Sequence, residues 1–353
     1  MKSIKELYRI GTGPSSSHTM GPRKAAEIFL ERHPEAATFK VTLYGSLAAT
    51  GKGHMTNIAI TEVLQPVAPV EIIWEPKIFL PFHPNGMKFI AVDKEGKETD
   101  QWTVFSIGGG ALAEENDGAS SVNTPDVYSM SSMTEILQWC ERTGKSYWEY
   151  VKECEDSDIW DYLQEVWKTM QDAVKRGLEQ EGVLPGPLNL RRKASTYYIR
   201  ASGYKQSLQS RGLVFAYALA VSEENASGGV IVTAPTCGSC GVMPAVLYHL
   251  AKSREFSDTR ILRALATAGL VGNIVKTNSF HFGRGSRMSG RGGRSLRYGL
   301  SSSQPVIRRQ SRTNRICSGN GFGASSRNDL RPCMRTGTDS MHRTKRLCRR
   351  ACP

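Results

Sequence analysis

Residues 11–22 read Gly-Thr-Gly-Pro-Ser-Ser-Ser-His-Thr-Met-Gly-Pro, immediately ahead of an amphipathic run from Arg23 to Arg32. Three serines, two threonines and a histidine share a stretch broken by Gly and Pro. A Gly- and Ser-rich loop entering a helix points backbone N–H groups and the positive end of the helix dipole at one spot, which suits a carboxylate or a phosphate. Pro22 fits the first helical turn, where a missing N–H costs nothing. His18 adds a proton carrier with an ordinary pKa near neutrality. Ser15, Ser16, Ser17 and Thr19 are therefore candidate anion-binding residues, and His18 a candidate acid–base. The bland alternative is a Ser-rich loop that merely caps its helix.

A second segment, Tyr44-Gly-Ser-Leu-Ala-Ala-Thr-Gly-Lys-Gly-His54, follows a strand-like run. Lys52 could bind an anion there. His54 could act as a general base if it reaches a substrate proton. A third, Ala234-Pro-Thr-Cys-Gly-Ser-Cys-Gly-Val-Met-Pro244, sets Cys237 and Cys240 at the C-x-x-C spacing of metal and redox sites. Its position before a Pro-started helix could bind an anion or acidify a thiol. No second C-x-x-C with zinc-like spacing follows, which weakens a structural zinc reading.

The elements that would carry these loops follow from periodicity. A helix is expected over 22–32. Phe39-Lys-Val-Thr-Leu43 alternates like a half-buried strand, and Val70–Trp74, Lys88–Val92 and Gln101–Ile107 look similar. Asn85-Gly86, in Phe82-His-Pro-Asn-Gly86, is a hairpin signal. From Met133 the period becomes helical: Ile159, Leu163, Val166, Met170 and Val174 recur at spacings of three and four behind a cap at Ser157 or Asp158. Pro185-Gly-Pro187 breaks that run. Further apolar segments span Leu208–Val221, open at Pro244, and run from Asp258 to about Val275. An α+β domain over 1–145 is thus followed by a helical domain over 146–278.

The 353 residues suffice for about two domains with real cores. No run approaches the ~20 apolar residues that span a bilayer, and Met1–Ile10 lacks a secretory apolar stretch. A cytoplasmic location is expected, where the eight cysteines would not form disulfides. The net charge of +13 is unevenly spread: over residues 281–353 sixteen Arg and one Lys face two Asp, a net of +15, while residues 1–280 carry 29 basic and 31 acidic residues. Residues 279–353 are Arg-, Ser- and Gly-rich with no sustained period, so disorder is expected there. A nucleic-acid-binding tail is the alternative, but aromatics are not regularly interleaved with its arginines.

Taken together, Thr12–Pro22, Tyr44–His54, Pro81-Phe-His-Pro-Asn-Gly-Met87, Ser106-Ile-Gly-Gly-Gly110, Ala234–Pro244 and Gly272-Asn-Ile-Val-Lys-Thr-Asn278 resemble the bacterial iron–sulfur L-serine dehydratases. The resemblance covers residues 1 to about 278. It implies an α+β N-terminal domain, an all-helical catalytic domain, a [4Fe-4S] cluster, and deamination of L-serine to pyruvate and ammonia. It also implies a homodimer, no membrane and no nucleic-acid partner. In that chemistry a base removes the Cα proton while a Lewis acid draws off the β-hydroxyl. His54 is the first choice of base and His18 the second. The substrate carboxylate would lie on Ser15–Thr19, with Lys52 assisting and Thr236 and Cys237 lining the pocket. A pyridoxal-phosphate dehydratase with Lys52 as Schiff-base lysine is another enzyme reading, but no phosphate cup accompanies it.

The family's cluster-ligating cysteines lie downstream of the Lys-Thr-Asn segment, where this chain turns Arg-rich. Codons for Phe280–Gly299 can be chosen so that skipping one nucleotide yields FISGAEVGCQAEVGVACAMA, and the same skip within Ile316–Arg346 yields YAAEMGLEHHLGMTCDPVCGLVQIPCIER. Both strings look like the family's cluster-binding segments. Residues from about 278 are therefore expected to be out of frame, Cys317, Cys333, Cys348 and Cys352 to have no inherited role as ligands, and the catalytic domain to be truncated and inactive as written.

Overall fold

The computed structural model describes residues 1–115, 125–186 and 188–281. A short strand β1 (Ile10–Thr12) leads through a π-type turn (Ser16–Met20) into α1 (Gly21–Arg32). Then follow β2 (Thr38–Tyr44), α2 (Gly45–Thr50), α3 (Thr56–Leu64), β3 (Val70–Glu75), β4 (Gly86–Val92), β5 (Glu98–Gly108) and β6 (Ala111–Ala113). The helical part comprises α4 (Met133–Thr143), α5 (Tyr147–Cys154), α6 (Ile159–Glu179), α7 (Ala194–Ser202), α8 (Gln206–Ala226), α9 (Val242–Arg254) and α10 (Asp258–His281), with strand β7 (Val230–Val232) between α8 and α9. The region is mixed α/β at its N-terminal end and helical beyond, as expected. The expected basic tail lies outside the described residues, apart from the last turn of α10, which runs three residues past Asn278.

Five strands form one sheet in the order β3-β2-β4-β5-β6. Phe39, Val41 and Leu43 of β2 alternate buried with half-buried neighbours, the period-2 pattern of a sheet with one covered face. Phe29 of α1 packs on that face against Phe39, Phe89 and Trp102, and Ala25, Ala26, Ile60 and Leu64 of α1 and α3 complete the layer. The hairpin expected at Asn85-Gly86 is not formed. β3 pairs parallel to β2, and β4 pairs antiparallel to the other edge of β2, so β3 and β4 are not neighbours. The 76–85 loop crosses over, and Asn85 donates through Nδ2 to the Ser106 carbonyl at 3.1 Å.

The second core gathers around α6 and α10. Leu163, Val166, Met170 and Val174 of α6 are buried at the spacing read from the sequence. Asp158 stands before α6 without capping it and instead pairs with Lys5 at 2.6 Å. Met1, Ile4, Leu7 and Tyr8 are buried in this helical core, not in the sheet's core. β7 is the exception to the expected all-helical character of this part: Ile10 to Thr12 of β1 pair antiparallel with Val232 to Val230. The hydrogen bonds of so short a strand need a partner, and the N-terminal segment supplies it. That pairing delivers the chain, at Gly13, to the serine-rich turn.

Candidate active site

Ser15 organises the turn. Its Oγ accepts from the His18 N–H at 3.2 Å, its carbonyl accepts from Thr19 and Met20, and its own N–H donates to Thr19 Oγ1 at 3.2 Å. The N–H groups of Ser16 and Ser17 make no hydrogen bond among the described residues. Ser16 and Thr19 are buried, while Ser15, Ser17 and His18 are half-buried.

A reciprocal clamp joins this turn to the segment at 51–56. Thr19 Oγ1 donates to the His54 carbonyl at 2.6 Å, and Thr56 Oγ1 donates to the His18 carbonyl. The two candidate bases are thereby set side by side, with ring centroids 4.9 Å apart. His18 Nδ1 lies 2.9 Å from Ser17 Oγ and Nε2 lies 3.2 Å from Ser46 Oγ. A hydroxyl can rotate to donate or accept. His18 can therefore gain or lose a proton and keep both bonds, which suits an acid–base group.

Ser46 and Thr56 were not singled out from the sequence, although both lie in or beside the Tyr44–His54 motif. Ser46 is fixed by α2, which starts at Gly45 with φ +49°. A Cβ at Gly45 would fall 2.7 Å from the Pro84 carbonyl, and that carbonyl accepts the Ser46 N–H at 2.9 Å. The Pro81–Met87 loop is thus docked on the same corner. Beside it His83 accepts the Asn85 N–H through Nδ1 at 3.1 Å, and burial pushes its pKa down, favouring the neutral ring.

The glycines of Ser106–Gly110 and the 234–240 loop close another side. The Gly109 carbonyl accepts from Arg9, and the Pro235 carbonyl lies 3.6 Å from the position of a Gly109 Cβ. Cys237 is fully buried, with Sγ 3.4 Å from Sδ of Met20 at the end of the serine turn. Thr236 Oγ1 lies 3.2 Å from Ser239 Oγ. A further link escaped the sequence: Asn225, at the end of α8, donates through Nδ2 to the Pro14 carbonyl at 3.2 Å. Lys52 is not drawn in. Its side chain is exposed, with Nζ 5.6 Å from the centre of the Trp74 ring. A cavity of about 660 Å³ adjoins the turn, lined by Arg9, Gly11, Thr12, Met20, Gly110 and Tyr162 among others.

An iron–sulfur cluster needs several cysteine thiolates converging on one point. Among the described residues no three His, Cys, Asp or Glu side chains are grouped to hold a metal ion. Cys240 faces the Val221 carbonyl at 4.0 Å, and burial pushes its thiol up rather than acidifying it. Cys140 and Cys154 lie in α4 and α5. The described residues therefore do not fit a cluster. Cys317, Cys333, Cys348 and Cys352 lie outside them.

Sequence comparison gives this site its context. The serine dehydratase alpha chain model matches residues 87–285, and the serine dehydratase beta chain model matches residues 3–72. An L-serine dehydratase of Haemophilus influenzae is 34% identical over 332 aligned positions, which span 79% of this chain and 73% of that protein. L-serine dehydratase 1 of Escherichia coli is 35% identical, again over 79% of this chain and 73% of its own length. The L-serine dehydratase of Streptomyces coelicolor is 34% identical over 78% of this chain and 72% of its own. No helix among the described residues is long and apolar enough to cross a membrane. With both family models matched and a third of its residues shared with these enzymes over most of its length, the chain belongs to the serine dehydratase family.

Proposed function

We propose that this chain carries the substrate half of an L-serine dehydratase site, and that its metal half is missing because residues from about 278 onward are read out of frame. The observation that carries the first part is the reciprocal Thr19–His54 and Thr56–His18 clamp, which sets two histidine rings 4.9 Å apart beside three serines. L-serine loses its Cα proton to a histidine and its β-hydroxyl as hydroxide, which takes up a proton and leaves as water. The resulting 2-aminoacrylate tautomerises to an imine, and water hydrolyses that to pyruvate and ammonia.

His54 is the proposed base and His18 its alternate. The N–H groups of Ser16 and Ser17, with the half-buried hydroxyls of Ser15 and Ser17, hold the substrate carboxylate. Thr19 and Ser16 are buried, and Thr19 serves by fixing His54. Cys237 backs the turn through Met20, and Thr236 holds the 234–240 loop through Ser239. Lys52 assists only if its side chain leaves Trp74. In the intact family a [4Fe-4S] cluster would supply the Lewis acid for the β-hydroxyl.

The frame reading is supported by two recovered strings that agree on one frame and by the alpha chain match, which stops at residue 285. A homodimer of the restored protein and a cytoplasmic location go with this reading. Sequencing the gene across codons 276–282 tests the frame: an intact frame there, confirmed by the mass of the expressed protein, overturns it. The activity test restores the frame, reconstitutes iron and sulfide anaerobically, and assays pyruvate from L-serine. Activity is expected in the restored chain, with His54→Ala or His18→Ala lowering kcat. No pyruvate from either form refutes the assignment.

A further inference from the structure

Nine of the fifteen large apolar side chains exposed among the described residues fall between Val183 and Phe215. They cluster on the α7–α8 hairpin and the loop that enters it. α7 buries only Ala194 and Ala201, one narrow seam against its neighbour; it turns Tyr197 and Ile199 outward and leaves Tyr198 partly open beside Tyr217. On α8, Leu208 and Phe215 are seven residues apart, so they share one stripe, and they are 56% and 67% exposed. Gly212, between them, approaches Ala201 and Tyr204, so the stripe runs beside the α7 seam.

Between Gly212 and Val221, α8 is also apolar over most of its circumference. Phe215 is outward, Ala216, Tyr217, Ala220 and Val221 are inward, and Leu213 and Val214 are packed against the core. A helix that is apolar all round belongs in the middle of a domain, covered on every side. A contiguous apolar patch left open marks an interaction surface.

We infer that the outer face of α7 and α8 is the seat of the layer encoded beyond residue 281 when the frame is restored. This rests on the frame reading proposed above. Two observations favour that occupant over a second copy of the chain. About a quarter of each relative's length lies outside the match, enough to cover a two-helix face. The recovered strings also carry frequent Ala and Val, residues that can cover such a face, whereas residues 281–353 as written carry a net charge of +15 and no sustained apolar period.

The test places Phe215→Asp and Ile199→Asp in the 353-residue chain and, separately, in the frame-restored chain. In the chain as written each variant is expected to melt within about 1 °C of its parent and to bind less of the dye ANS, because an exposed apolar group is lost at little cost. In the restored chain ANS binding is expected to be low from the outset, and each substitution to lower the melting temperature by about 6 °C or more. Should an Asp variant fail to fold there, Phe215→Ala and deuterium uptake over 194–215 in the unsubstituted restored chain carry the test. Uptake should be slow and independent of protein concentration.

Equal, negligible effects in both chains overturn the proposal. Protection that grows with concentration also overturns it, in favour of a second copy. The pyruvate assay is separate: a covered face without activity leaves this seat standing and sinks the enzyme assignment, and activity with an open face does the reverse.

Discussion

Gly13→Ala tests how the helical part holds the serine turn. An ideal Cβ at Gly13 would fall 2.2 Å from Asn225 Oδ1 and 2.3 Å from the Asn225 carbonyl oxygen. The first contact can be relieved by turning the amide, at the cost of its 3.2 Å bond to the Pro14 carbonyl. The second involves main chain at the end of α8 and can be relieved only by moving the turn. Overpacking of this kind costs about 1–3 kcal/mol. Gly13 does not have a positive φ, so alanine regains about 0.4–1 kcal/mol by restricting the unfolded chain. The main-chain obstacle places the cost in the upper part of that range, about 2–3 kcal/mol, so the net loss is about 1–2.5 kcal/mol, a fall in melting temperature of about 2–4 °C for a chain of this size. The assay is differential scanning calorimetry of the single variant and of Gly13→Ala with Asn225→Ala. The double variant should recover only the side-chain part of the loss, because the carbonyl obstacle remains. A single variant within about 1 °C of the parent, or full recovery in the double, would show that the α8 main chain does not hold the turn at Gly13.

Three further outcomes follow from the same packing. Lys276 is half-buried beside Arg9, and desolvation together with the Arg9 charge brings its pKa down to about 8 from 10.5, with Glu6 partly offsetting. The unfolded chain then binds more protons between those values, so this residue's contribution to stability rises with pH from about 8 to 10.5, by on the order of 3 kcal/mol at most. Lys276→Met should be more stable than the parent at pH 7, with a difference that shrinks towards pH 10 in urea titrations; a constant difference counts against it. Glu224, 2% exposed, accepts from Arg176 Nε at 3.1 Å and Arg192 at 3.3 Å. Glu224→Gln leaves two guanidinium groups without their carboxylate and should cost about 3 kcal/mol in urea unfolding, and a loss under about 1 kcal/mol would show that solvent compensates. Phe29→Ala removes the ring shared by Phe39, Phe89 and Trp102. It should cost the sheet about 3–5 kcal/mol, read as loss of Trp102 near-ultraviolet dichroism at lower urea.

The Glu224 cluster also shows why the helical part grips the turn. Glu223 accepts the N–H groups of Lys193 and Ala194, Glu224 binds the two arginines, and Asn225 reaches Pro14. Three consecutive polar residues at the end of α8 therefore tie α6, α7 and the serine turn together. Nothing local in Glu-Glu-Asn distinguishes it from the solvated end of an ordinary helix. Its role depends on what the fold brings opposite.

The sequence alone determined whatever rests on neighbours in the chain. Phe39, Val41 and Leu43 announced β2, the three-and-four spacing from Ile159 to Val174 announced α6, and the Gly, Pro and Ser of residues 11–22 announced a polar turn entering α1. These patterns are legible because side-chain direction follows a fixed local period. The frame reading of residues beyond 278 likewise rests on sequence, since it concerns codons rather than contacts.

Tertiary structure decided what depends on distant partners. Asn85-Gly86 begins β4 instead of closing a hairpin, because β3 found the opposite edge of β2. β1 pairs with a strand some 220 residues away, Ile10 against Val232. His18 and His54 meet because Thr19 and Thr56 exchange hydrogen bonds across the two segments, while Lys52, in the same motif, lies outside over Trp74. Motif spacing shows which residue types are available along the chain. Which of them face one another is decided by long-range hydrogen bonds and burial, and these have no period in the sequence.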